Sequence, residues 1–102
     1  MPHLVQILLP VFDPDGHALT AEQFAIVRNE LVDRFGGATA FTRAPAEGVW
    51  DSGERTVTDD IIVVEVMTDT LDKVWWSHYR RTLERRFRQQ LIVIRHHEVD
   101  LI

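Results

Sequence analysis

The sequence predicts a two-layer α+β sandwich with elements in the order β-α-β-β-α-β. Three observations predict it: four short β-rich apolar runs, two segments of helical periodicity with start signals, and turn-formers between them. With 102 residues, 45% of them apolar, the chain is expected to form one domain, residues 1–102, with a modest core.

Taken in order, "HLVQILLPVF" (3–12) is a strand and "DPDGH" (13–17) a turn. In "TAEQFAIVRNELVDRFGG" (20–37), Thr20 and Gln23 have capping-box spacing. Phe24, Val27, Leu31 and Phe35 share a helical face, and Gly36-Gly37 supplies a left-handed stop. "ATAFTRA" (38–44) alternates as a second strand. "TRAPAEGVWDSGERT" (42–56) reads as a loop that places Trp50 among turn-formers. "TVTDDIIVVEVM" (56–67) is β-branched and densely apolar, as an inner strand is. From Asp69 to Gln90 a second helix is predicted, with Leu71, Trp75, Trp76, Tyr79, Leu83 and Phe87 on one side. "LIVIRHHEV" (91–99) closes as the fourth strand. Right-handed crossovers then give a split βαβ sandwich: a four-stranded antiparallel sheet of order 4-1-3-2, with two helices on one face.

Composition narrows the partners. No apolar stretch is long enough to span a membrane. The start "MPHLVQILLP" lacks the basic region and cleavage site of a signal peptide. The absence of cysteine excludes disulfides and thiolate metal sites and fits a cytoplasmic location. The net charge of −5 is unevenly spread. Lys73, Arg80, Arg81, Arg85, Arg86 and Arg88 face only Glu84 between residues 73 and 90. Cations in the later turns of a helix that opens with Asp69 and Asp72 follow the helix dipole, and Glu84 is at pairing distance from Arg80, Arg81 and Arg88. With no aromatic platform interleaved, this argues against nucleic acid.

Strand parity identifies a face that the helices leave open. If Val5, Ile7 and Leu9 point inward, then Leu4, Gln6 and Leu8 point outward. Likewise Ile62, Val64 and Val66 turn in, leaving Ile61, Val63, Glu65 and Met67 outside with Val93, Arg95 and His97. An apolar field of this size carrying Gln6, Glu65, Arg95 and His97 calls for a partner or a ligand. One reading is a homodimer face with a buried Glu65–Arg95 ion pair across Gln6. The other is a pocket in which Arg95 holds a small anionic ligand and His97 or Glu65 transfers a proton. Trp50 becomes a lid over that face, an interface anchor, or packing within its own hairpin. Arg43 can join from either face, because strand two has a weak pattern. No metal and no cofactor are expected: His96 and His97 point to opposite faces, and no Asp/Glu/His set has ligand spacing. His78 is expected half-buried at the edge of the second helix's apolar stripe.

Two resemblances follow from these residues. The layout, "FGGATAFTRAPAEGVW" and the closing "RHHEV" resemble small bacterial ferredoxin-like proteins of uncharacterised function, which implies the βαββαβ fold and no particular activity. "MPHLVQI", running straight into a strand, resembles the opening of the tautomerase superfamily. That likeness implies a trimer in which Pro2, exposed by removal of Met1, is the amino-terminal general base. Arg43 or Arg95 would then clamp a substrate carboxylate. A purely structural role for the open face is the third alternative.

Overall fold

A computed structural model describes the backbone of residues 1–37, 39–49 and 56–102, and the side chains of residues 1–37 and 61–102. Its elements are β1 (His3–Pro10), α1 (Ala21–Phe35), β2 (Thr39–Val49), β3 (Thr56–Thr68), α2 (Lys73–Arg86) and β4 (Val93–Glu98). The strands pair antiparallel in the order β2-β3-β1-β4, an α+β arrangement compatible with βαββαβ.

The core forms where the inner parity of the sheet meets one stripe of each helix. Val5, Ile7 and Leu9 of β1 and Val64 and Val66 of β3 pack against Val27 and Leu31 of α1. Trp76, Tyr79 and Leu83 of α2 complete it with Phe87 and Ile92, and Ile62 is partly buried against it. The helices run antiparallel, because Phe24 near the start of α1 meets Phe87 after the end of α2, ring centroids 5.5 Å apart. At the opposite ends Phe35 stacks on Trp76 at 5.2 Å and meets Trp75 edge-on, while the Arg34 guanidinium lies 4.2 Å from the centre of the Trp75 ring.

The helix ends follow local chemistry. Thr20 and Gln23 form the expected capping box, and Gly36 at φ 81° donates its N–H to the Val32 carbonyl. The second helix is shorter than the 69–90 expected, because the Asp72 side chain accepts from the Trp75 amide and fixes the first turn there. At its far end the Gln89 amide donates to the Glu84 carbonyl and the Arg88 amide to that of Arg85. That closure needs a left-handed residue, and Arg88 fills it at φ 55° instead of a glycine. Arg88 therefore reaches away from Glu84, its expected partner, and lies 3.7 Å from Asp13 and 3.2 Å from Asp15.

Residues 45–49, read from sequence as loop, belong to β2. A register break separates Phe41 from Ala44, and from Ala44 to Val49 the strand pairs with the part of β3 that begins where its ladder with β1 ends, at Ile61. Pro45 is tolerated because β2 is an edge strand, where a missing N–H need not break a ladder.

One polar bridge ties the helices together. Arg86 donates to both oxygens of Glu30, the second contact at 2.8 Å, and the Tyr79 hydroxyl donates to Glu30 at 3.2 Å. The Arg86 hydrogen bonds, aided by that of Tyr79, hold the Glu30 carboxyl below its usual range. Burial first, and then the Glu30 charge, pushes the Tyr79 hydroxyl well above the ordinary tyrosine range. A lowered carboxylate pKa stabilises the fold above the unfolded-state value, near 4.5 for Glu30, and the contribution disappears as pH falls through the folded-state value. Both side chains of the Glu30–Arg86 pair are more than a third exposed, so solvent screening keeps the effect small. Glu30→Gln is therefore expected to lose about 0.5–1 kcal/mol at pH 7 in urea unfolding and nothing at a pH where Glu30 is protonated in both states.

Candidate functional site

The open sheet face is organised by the two ladders of β1. Gln6 lies opposite Glu65 on β3 and Arg95 on β4, so the three share one row. Two strand spacings separate Glu65 from Arg95, about 10 Å between backbones, too far for direct contact of ordinary side chains held upright. Gln6 bridges the gap. Its amide nitrogen donates to Glu65 Oε2 at 2.7 Å, and its amide oxygen accepts from Arg95 Nε at 2.8 Å. The charges at each end fix which way the amide points. Within the single chain the two charges are linked through Gln6, and Arg95 is exposed.

Apolar rows flank the relay. Leu8 pairs with Val63 and Val93 on one side, and Leu4 with Met67 and His97 on the other. Leu4, Leu8 and Val63 are half-buried, whereas Met67 is 47% and Val93 44% exposed. On β2, Thr39 and Phe41 occupy the register positions opposite Glu65 and Val63. The face therefore offers an acceptor at one end, a cation at the other, and hydrophobic ground on both sides.

The remaining sequence candidates are dispersed. His97 is exposed one row from the relay, opposite Leu4. Pro2 is half-buried just before β1, and its carbonyl accepts from the Val99 amide at 2.9 Å. Arg43 lies in the register break of β2, with its side chain outside the described residues, and Trp50 is outside them altogether. His78 is exposed, not half-buried, because it sits beyond the edge of the α2 stripe that meets the sheet.

The structure also gathers residues that the sequence reading left apart. Asp13, Asp15 and His17 bring ligand atoms within 4.8 Å of one another. The turn itself explains this convergence: Asp13 Oδ1 accepts from the amides of Asp15 and His17, and Arg88 supplies the neighbouring positive charge. The backbone hydrogen bond from His17, seconded by that from Asp15 and by the nearby cations, keeps the Asp13 carboxyl low. The D-x-D-x-H spacing is the signal for this cluster, and it is visible in the sequence.

No family model matches the chain, and no curated protein matches it. Among solved structures, the chain is similar to a phage SAM lyase in complex with S-methyl-5'-thioadenosine. That match has a TM-score of 0.63 and 14% identity, and covers 95% of this chain and 81% of the other. A phage SAM lyase in the apo state matches with a TM-score of 0.59 and 16% identity, over 94% of this chain and 79% of that one. At these identities the likeness shows a shared small α+β fold.

The relay predicts an asymmetry in stability. Gln6→Leu leaves Glu65 and Arg95 without their bridge and is expected to cost about 1–2 kcal/mol in urea unfolding. The triple replacement Gln6→Leu, Glu65→Leu, Arg95→Leu removes the whole row together and is expected to be neutral or stabilising by the same measurement.

Proposed function

We propose that the chain is a ferredoxin-like sandwich that works as an assembly of copies joined through the open sheet face. In this reading the Arg95–Gln6–Glu65 row lies at the joint and takes a small ligand bearing a carboxylate. The single observation that carries the proposal is the hydrogen-bonded relay set between the Leu8 and Leu4 rows. Isolated charges resist burial, and a cation and an anion linked through an amide can be covered by a partner at lower cost than unlinked charges. The two guanidinium nitrogens of Arg95 not used by Gln6 suit a carboxylate, and Glu65 suits a positively charged centre.

The likeness to the phage SAM lyase fold supplies the first ligands to try. SAM carries a carboxylate and a positively charged sulfonium, the two groups that Arg95 and Glu65 complement. The proposal places the protein in the cytoplasm, where a chain without cysteine needs no oxidising environment.

Light scattering on the eluting protein tests the assembly. Wild type is expected to run as an oligomer and Leu8→Glu as a folded monomer; a monomeric wild type overturns the proposal. Calorimetry with SAM and with S-methyl-5'-thioadenosine tests the ligand. Binding weakened at least about tenfold in both Glu65→Gln and Arg95→Met supports the site, and binding indifferent to both removes it. Release of S-methyl-5'-thioadenosine from SAM, lost in Glu65→Gln, would make the site catalytic. An oligomer that binds neither compound leaves the purely structural role. Loss of phenylenolpyruvate turnover in Pro2→Ala, with Met1 shown by mass spectrometry to be removed, would instead support the tautomerase reading.

A further inference from the structure

On the helix side of the sheet, across from the relay, a cleft of about 190 Å³ opens between α2 and the edge strand β4. Lys73, Ser77 and Arg80 line its α2 wall, four and three residues apart and hence on one helical stripe. His96 lines the wall formed by β4. Its floor is apolar: half-buried Leu71 and Ile94 lie over the packed side chains of Val5 and Trp76. None of the lining residues is a carboxylate.

Two buried donors or acceptors in this corner have no hydrogen-bond partner among the described residues, Arg80 Nε and His3 Nδ1. The nearest carboxylate to Arg80, that of Glu84, stands 3.8 Å away, beyond hydrogen-bond range. Its Oε2 already accepts from the Ile92 amide at 2.9 Å. The His3 ring meets that of His96 edge-on at 5.5 Å, behind the cleft wall. Leaving a buried N–H unpaired costs about 1–3 kcal/mol, a penalty that an incoming acceptor removes.

We propose that this cleft binds a small organic carboxylate, with the anion held by Arg80, Lys73 and the Ser77 hydroxyl and the apolar body lying against Leu71 and Ile94. At ~30 Å³ per water the space equals about six waters, room for a ligand the size of benzoate and too little for a nucleotide. An inorganic anion would meet the cations but leave the apolar floor uncovered. The site is separate from the open face, so it stands or falls independently of the relay.

Amide chemical shifts of the full chain, titrated with benzoate and in parallel with inorganic phosphate at matched ionic strength, test the proposal. Benzoate is expected to produce a saturable shift at Ser77, Arg80 and His96, while phosphate produces a weaker one. Ser77→Trp fills the cleft and is expected to abolish the benzoate shift. Lys73→Glu, at an exposed position that leaves the core untouched, is expected to weaken it at least about tenfold by reversing the charge. Glu22→Gln, at an exposed position in the first turn of α1 away from the cleft, is expected to leave it unchanged. No saturable shift, phosphate binding as strong as benzoate, benzoate binding that survives Lys73→Glu, or binding lost in Glu22→Gln overturns the assignment.

Discussion

The register of β1 is the constraint on which the rest of the molecule depends. This strand is paired on both sides, to β3 and to β4, and its residues alternate between two different environments. Val5, Ile7 and Leu9 are 1%, 0% and 0% exposed beneath the helices. Leu4, Gln6 and Leu8 carry the opposite face. Because the period is two, a slip of one residue against either neighbour would drive Gln6 into the core and lift Ile7 out of it. The hydrophobic core and the Arg95–Gln6–Glu65 row are thus two outcomes of a single pairing, and neither can be built without the other.

The helix layer adds a second set of links, at its ends. Aromatic contacts join α1 to α2 at both ends, and Arg86 and Tyr79 converge on Glu30 between them. The closure of α2 holds Arg88 in a left-handed conformation that costs a residue with a side chain about 1–2 kcal/mol. Glycine would avoid that cost, but it could not reach Asp13 and Asp15. The same substitution that relaxed the backbone would detach the end of α2 from the turn that follows β1.

Much of this was legible in the sequence because it rests on periodicity and short-range chemistry. Strand alternation assigned the inner and outer residues of β1 and β3, and the Thr20–Gln23 box and Gly36 bounded α1. The extent of β2 was not legible. Gly48 and Pro45 look like turn residues, and the missing N–H of Pro45 is acceptable inside a ladder because β2 is an edge strand. The true start of α2 was hidden because Asp69 and Asp72 are both plausible caps, and only geometry shows that Asp72 accepts from Trp75. At the site, parity placed Gln6, Glu65 and Arg95 on one face with Gln6 between the charges, but the hydrogen bonds that join them depend on two ladder registers. The α2–β4 cleft escaped notice for the same kind of reason: Lys73, Ser77 and Arg80 look like part of a solvated cationic fan until His96 is set across from them.

The edge strand β4 is dense in ionisable groups, with Arg95, His96, His97 and Glu98 in succession and three of the four able to carry positive charge. Lateral docking of a second sheet along that border would have to cover this run of charged and polar side chains. Growth into filaments by end-to-end sheet extension is therefore discouraged on this side.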